Sequence, residues 1–150
     1  MLVTQKCHYA LRALLELAKL EGRGPIKIVD IATRQAIPPR FLENIMNQLK
    51  QGGFVESRRG KEGGFALARP AKQLGVGEII RFLQGPITPV GEEAVAKKRR
   101  PNSSPSDDVF MPMWEKANHA LSEVYDNTTF GQLLEEAQRR EQQNVPMFVI

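Results

Sequence analysis

Two pairs of helix-bounding residues, Pro38-Pro39 and Gly52-Gly53, most constrain how this chain can fold. A proline in the first turn of a helix gives up only an N–H that has no helical partner, and glycine readily takes the backbone conformation that ends a helix. The pairs therefore predict a helix from Pro39 to Gln51. Its apolar residues fall at helical spacing on one face: Leu42, Ile45, Met46 and Leu49.

A shorter amphipathic segment precedes this helix, and a hairpin follows it. The apolar residues of the first segment also fit one helical face: Ile28, Ile31, Ala32 and Ile37. After Gly53 come a strand from Phe54, a turn rich in glycine, and a return strand in which Phe65 and Leu67 face inward. A helix, a tight turn, a second helix and a basic hairpin together predict a winged helix-turn-helix, which is a DNA-binding unit.

The rest of the chain is predicted to be helical, so the expected fold class is mainly α with a small β-hairpin wing. A short strand at Ile26 and Lys27 is expected to pair with the wing. Further helices are predicted from a Thr4 cap to about Leu20, from Val76 to Leu83, from about Asp108 to Tyr125, and from Phe130 to about Gln142. We predict a winged helix-turn-helix domain over 1–86, a flexible loop over 87–107, and a dimerisation helix with a C-terminal helix and tail over 108–150.

Charge is distributed unevenly along the 150 residues. Residues 1–70 carry 12 Lys/Arg against 6 Asp/Glu, whereas residues 71–150 carry 9 against 11. The positive charge thus coincides with the predicted helix-turn-helix, as expected for a face that binds phosphates. A single cysteine excludes an internal disulfide framework, and no apolar run approaches the ~20 residues of a membrane span, so we expect a cytoplasmic protein. With no nucleophile–base or paired-carboxylate pattern, we do not expect an enzyme.

Polar head groups gather on the exposed face of the predicted helix from Pro39. In the major groove an arginine suits guanine, an asparagine suits adenine, and a glutamate accepts from cytosine. We therefore expect this helix to enter the major groove and to contact DNA through Pro39, Arg40, Glu43, Asn44 and Asn47. Glu43 has two alternative roles, as a solvent-exposed residue or as an intramolecular partner of Arg40.

The predicted wing supplies a second group of cations. Arg58 and Arg59 precede the glycine-rich turn, which lets the backbone approach DNA closely. Arg59 is expected to enter the minor groove, where a narrow groove concentrates negative potential, and Lys61 is expected to contact phosphate.

Several motifs in order and spacing resemble one known family. They are Thr4-Gln-Lys, Tyr9-Ala-Leu-Arg-Ala-Leu14, Ile31-Ala32, Ile37-Pro-Pro-Arg-Phe-Leu42, Arg59-Gly-Lys-Glu-Gly-Gly-Phe-Ala-Leu67, Gly77-Glu-Ile-Ile80 and Gln84-Gly-Pro86. The series resembles the Rrf-type family of bacterial winged-helix transcriptional regulators, the group that includes IscR, NsrR and CymR. The resemblance implies a sequence-specific regulator, expected to be a repressor, that binds a palindromic operator in double-stranded DNA. It also implies that Thr4 and Tyr9 touch phosphates.

The resemblance further implies a homodimer through crossed long helices. An apolar stripe on the predicted long helix needs a surface to cover it, which agrees with that expectation. The predicted interface consists of Phe110, Trp114, Ala117, Leu121 and Val124. The alternative is a monomer in which the helix folds back on its own domain.

The chain departs from the resemblance in the loop before the long helix. Cluster-binding members carry three cysteines there, whereas Gly91 to Asp108 contains no cysteine and no histidine. We therefore expect no iron–sulfur cluster, no metal and no cofactor. Cys7 is expected to be a core residue, with a thiol-based redox sensor as the alternative function. A winged-helix protein-interaction adaptor is another alternative. The effector, a small molecule or a protein, is left open.

Overall fold

The computed structural model describes residues 3–89 and 105–144, without the side chains of 105–108. These residues form six α-helices, one antiparallel hairpin and a single 3-10 turn, which confirms the predicted fold class. In chain order the elements are α1 (Gln5–Lys19), α2 (Ile28–Gln35), α3 (Pro39–Gln51), β1 (Val55–Arg58), β2 (Gly64–Leu67), the 3-10 turn (Ala71–Gln73), α4 (Val76–Gln84), α5 (Pro105–Asp126) and α6 (Phe130–Gln143).

The core is built around α1, against which α2, α3, α4, α6 and β2 all pack. Small residues on its buried face allow the neighbouring helices to approach closely. The four apolar residues predicted for α3 lie in this core, so the opposite face of α3 is turned to solvent. The core residues contributed by α1 are Cys7, Ala10, Ala13, Leu14, Leu17 and Ala18.

A tight turn joins α2 to α3. Ala36 ends α2 in the left-handed conformation (φ 50°, ψ 47°), which an alanine adopts only at some cost. The next residue, Ile37, is buried, and its N–H donates to the carbonyl oxygen of Ala32 at 3.0 Å. This 6→1 hydrogen bond and the anchored isoleucine fix the direction in which Pro38 and Pro39 start α3.

The wing is a hairpin of two four-residue strands, and a third segment pairs with the outer edge of β2. Its register pairs Val55 with Leu67 and Arg58 with Gly64. Ile26 exchanges two backbone hydrogen bonds with Phe65, at 2.8 and 2.7 Å, as the sequence predicted for this segment. At Gly64 (φ 149°) a Cβ would collide with the backbone of Ile26, so this close approach requires glycine.

The last helix, α6, packs on the winged domain. The sequence analysis had instead grouped it with the dimerisation helix in a separate segment, 108–150. The Phe130 side chain is fully buried in the core, and α6 packs on α1 and on the 3-10 turn. Backbone hydrogen bonds from Phe130 to Leu74 (3.0 Å) and from Val76 to Thr128 (2.9 Å) join the start of α6 to the start of α4. The periodicity of its sequence predicted that α6 is a helix. It did not predict where α6 packs, because its contacts are with segments distant in the chain.

The described residues at both ends of the segment 87–107, which was predicted to be a loop, differ from that prediction. Ile87 is buried in the core, and α5 begins at Pro105, one turn earlier than predicted. A proline at the first position of a helix costs no hydrogen bond, which suits this start. The remaining part of that loop (90–104) and the apolar tail (145–150) lie outside the described residues.

A buried carboxylate ties α1 to the helix-turn-helix. Glu16 is only 5% exposed, and its two oxygens accept from Arg34 at 3.2 Å and from the Gln35 side chain at 2.7 Å. Arg12 donates to the side-chain and backbone oxygens of Gln35. These bonds hold the end of α2 directly before the turn into α3.

We expect Glu16→Ala to lower the free energy of unfolding by about 1–3 kcal/mol, because the partly buried side-chain amide of Gln35 loses its acceptor. Most of the loss should come from Gln35, since the Arg34 side chain is about half exposed and screened by water. Equilibrium urea unfolding at fixed protein concentration measures the change. As a control, Glu135→Ala alters an exposed helical glutamate of α6 and should change stability by less than about 0.5 kcal/mol. Equal effects of the two substitutions would contradict a stabilising role for the hydrogen bonds of Glu16.

Candidate nucleic-acid interface

The exposed face of α3 presents polar groups that are free to meet another molecule. Arg40, Glu43, Asn44 and Asn47 are all exposed, because the residues between them fill the core. Within residues 3–89 and 105–144, neither Arg40 nor Glu43 forms an ion pair with the other or with any other described residue. Pro39, at the start of this face, is exposed as well.

The wing tip carries cations on a tight turn. Arg59 and Lys61 are exposed and, among the described side chains, have no ion-pair partner. Gly60 has a φ of 109°, and the N–H of Gly63 donates to its carbonyl oxygen at 3.0 Å. A Cβ at Gly63 would collide with the backbone of Arg58, so the compact tip depends on glycine.

Arg58 lies differently from the two cations at the tip. It is exposed but also lines a cavity of about 330 Å³ between the end of α1 and the wing, together with Leu17, Leu20, Pro25 and Phe65. Its contact with DNA stays a prediction.

Two residues at the start of α1 and in its second turn, Thr4 and Tyr9, were expected to touch phosphates, and the structure gives them different surroundings. Thr4 caps α1 by accepting from the N–H of Cys7 at 3.2 Å, and its own hydroxyl donates to the Gln84 side chain at 3.3 Å. Its hydrogen is thus already engaged. The Tyr9 hydroxyl accepts from Gln5 at 3.0 Å, so its hydrogen remains available to a phosphate oxygen.

Phe41 is a residue that the sequence analysis did not single out. It lies in the first turn of α3 beside Arg40 and is 39% exposed. Its ring meets the ring of Tyr9 edge to face, with centroids 5.7 Å apart. Helical spacing places it about 100° from Arg40, between the polar and buried faces, where periodicity gives little signal.

The exposed apolar surface of α5 overlaps the predicted stripe only in part. Leu121 packs against the core of its own domain, and Trp114 and Ala117 are partly buried. Phe110 and Val124 are exposed as expected, but they share their surface with Val109 (75% exposed) and Met113 (49% exposed), which the sequence analysis left out. The exposed arc of α5, defined as Val109, Phe110, Met113 and Val124, is centred about 80° from Leu121 and Trp114 around the helix, with Phe110 the nearest of the four to them.

The chain's single cysteine is enclosed by apolar neighbours. The Cys7 side chain has no exposed surface, and burial raises the pKa of its thiol, which lowers the thiolate fraction at neutral pH. His8, the next residue, is exposed, so the two side chains point in different directions. In the part of the chain that the structure describes, no three His, Cys, Asp or Glu side chains gather as metal ligands. These observations favour core packing over redox sensing.

A bidentate ion pair joins helices α4 and α5. Arg81 of α4 donates to both carboxylate oxygens of Asp126 at the end of α5, at 2.5 and 2.9 Å. The guanidinium lowers the pKa of the Asp126 carboxyl. The exposed arc of α5 is therefore held in a defined direction relative to the winged domain.

The tight α2–α3 turn, the exposed polar face of α3 and the basic wing define a winged helix-turn-helix protein. Comparison with known proteins agrees. Residues 3–136 match the family described as "Rrf2: Iron-dependent Transcriptional regulator". The chain is 33% identical over 136 residues to the HTH-type transcriptional regulator CymR of Bacillus subtilis, covering 89% of each chain. No described helix is long and apolar enough to cross a membrane.

Solved structures give the same assignment. CymR (YrzC) of B. subtilis, described as the global cysteine regulator, superposes with a TM-score of 0.77 at 31% identity, covering 91% of this chain and 98% of the other. IscR of T. potens gives 0.74 at 33% identity, covering 91% and 88%. The chain belongs to the Rrf2 family of winged-helix transcriptional regulators, and it is not an enzyme.

We expect Cys7 to react with an aromatic disulfide reagent on the order of 100-fold more slowly in the native protein than in denaturant, because reaction requires opening of the core. The rate should rise with pH beyond the usual thiol range, since burial raises the pKa of this thiol. The variant Cys7→Ser with Glu135→Cys moves the thiol to an exposed position and should react at an unhindered rate. Comparable native rates for both proteins would contradict the buried site.

Proposed function

We propose that two copies of this chain form a homodimer that binds a palindromic operator in the cytoplasm and represses transcription. The observation that carries this proposal is the pairing of two free surfaces on one domain. One is the polar face of α3, with Arg40 and Asn44. The other is the wing tip, with Arg59 and Lys61. Repression requires only that the bound dimer excludes other proteins from the operator.

The two surfaces suit different parts of the duplex. An α-helix fits the major groove, where each base pair presents a distinct pattern of donors and acceptors that Arg40 and Asn44 can distinguish. Arg59, on a compact glycine turn, suits the narrow minor groove, and Lys61 suits a phosphate. Tyr9 supports a further phosphate contact through its free hydroxyl hydrogen. Free head groups on both surfaces disfavour the adaptor alternative, which does not require them.

The exposed arc of α5 supports the homodimer. Exposure of four large apolar side chains on one helix surface to water is unfavourable. A second copy of the same helix, related by two-fold symmetry, would cover them. Two-fold symmetry also provides two recognition helices for two half-sites. Packing of Leu121 on the core and the Arg81–Asp126 ion pair together hold α5 against the winged domain, which sets the spacing of those helices.

Iron is implied by the family's description but does not fit the residues of this chain. An iron–sulfur cluster is held mainly by several thiolates, and the chain has one cysteine, which is fully buried and has a raised pKa. We therefore propose that this regulator works without the family's three-cysteine site. A small-molecule effector is supported by a groove of about 390 Å³ between α4 and α5, lined in part by Arg81, Ile87 and Asn118.

We expect the double substitution Met113→Glu with Val124→Glu to convert the dimer to monomers, because it places charges in the centre of an apolar interface. Sedimentation equilibrium measures the mass, and operator affinity should fall at least tenfold as the two half-sites become uncoupled. His119→Glu places a single glutamate at an exposed position of α5 outside the arc and should leave the dimer intact. A double variant that remains dimeric would overturn the assigned interface.

Operator variants changed at single base pairs test whether α3 recognises bases while the wing contributes mainly electrostatic contacts. The operator is first obtained by selection from random-sequence DNA. Arg40→Ala and Asn44→Ala should relax preference at particular base pairs by about 1–3 kcal/mol while nonspecific affinity changes little. Arg59→Ala should weaken all operators, A/T-flanked ones most, and should reduce the salt dependence of binding.

The opposite pattern would reverse this assignment. It would consist of a uniform loss for Arg40→Ala and an altered base preference within the half-site for Arg59→Ala. Selection that enriches no common sequence would overturn the sequence-specific regulator itself.

A further inference from the structure

The exposed polar face of α3 is bordered by one large apolar side chain, that of Phe41. Phe41 lies in the first turn of α3 next to Arg40, and 39% of its surface is exposed. Residues near the start of a recognition helix are the ones that approach base edges most closely. An aromatic ring at this position therefore sits where base contacts are made, although it offers no hydrogen bond.

Neighbouring side chains fix the position of this ring. Tyr9 meets it edge to face at 5.7 Å, a geometry favoured by the ring quadrupoles. Tyr9 is held in turn by a hydrogen bond from Gln5 (3.0 Å) and by the guanidinium of Arg12, 5.8 Å from its ring centroid. Arg12 is anchored to Gln35 at the end of α2. The exposed edge of Phe41 is thus presented in one orientation before any DNA binds.

The major groove offers one apolar group that matches such a surface. Thymine carries a 5-methyl group there, and its other groove-facing atoms, like those of the remaining bases, are mainly hydrogen-bonding groups. Contact between a phenyl ring and this methyl removes apolar surface of both from water.

We propose that Phe41 contacts the 5-methyl group of a thymine in each half-site and so helps to determine operator specificity. The inference rests on the proposed function, since it requires α3 to enter the major groove. It adds a methyl contact to the hydrogen-bond recognition assigned to Arg40 and Asn44. The contact is apolar, so its effect should not depend on salt concentration, unlike the contacts of Arg59 and Lys61.

Replacement of thymine by deoxyuridine tests the contact, because it removes the methyl group and leaves every hydrogen-bonding atom of the base in place. Each thymine of the selected operator is replaced in turn, symmetrically in both half-sites, and dissociation constants are measured at two salt concentrations. At one position per half-site, wild-type protein should lose about fourfold in affinity per methyl group, the effect of burying one methyl-sized group. Phe41→Ala should bind the thymine and deoxyuridine operators equally, whereas Phe41→Leu should retain part of the difference.

Phe82→Ala is the matched control. Phe82 is also an exposed phenylalanine in an edge-to-face aromatic pair, with Phe54 at 5.1 Å, but it lies on α4. Its loss should leave the thymine-to-deoxyuridine ratio unchanged. The ratio also separates recognition from folding, because a purely structural role of Phe41 would weaken binding to both operators equally.

The outcomes distinguish this inference from the proposed function beneath it. If an operator is selected but no thymine shows a methyl effect, or if Phe41→Ala keeps that effect, the inference fails while the regulator assignment stands. An operator without thymine in its half-sites would overturn it as well. If no common sequence is selected, both fail together.

Discussion

Packing of α3 on α1 is the interaction on which the rest of the structure depends. Leu42, Ile45, Met46 and Leu49 bury one face of α3, and this burial turns the polar face outward. The Glu16 network then fixes the end of α2, so that the turn into α3 has one direction. Hydrophobic burial supplies most of the stability, whereas the buried polar contacts specify orientation.

The same arrangement explains why the residues proposed to contact DNA have free head groups. A polar group that reads a base must not be satisfied within its own chain, and the described contacts of Arg40, Arg59 and Lys61 include no ion pair. Residues that orient the surface are instead fully engaged: Thr4 with Gln84, and Arg12 with Gln35. In the proposed function these residues therefore either orient the surface or contact DNA, whereas Tyr9 does both.

The long helix α5 divides its surface between two tasks. Leu121 and Tyr125 pack on the winged domain, and Arg81 binds Asp126 at the end of the helix. The exposed arc lies beside this packed surface and is directed away from the domain. Such an arrangement links the interface proposed for a second copy to the orientation of α3 through a short series of rigid contacts.

Elements whose signal is local could be predicted from the amino-acid sequence. Helical spacing predicted the buried face of α3, glycine positions predicted the wing, and Thr4 and the Pro38-Pro39 pair predicted helix starts, because each depends on residues close together in the chain. Which surfaces remain free could not be predicted in this way. Leu121 is covered, Phe41 is exposed and the start of α6 joins α4, because these outcomes depend on contacts between distant segments, which leave no periodic pattern in either one.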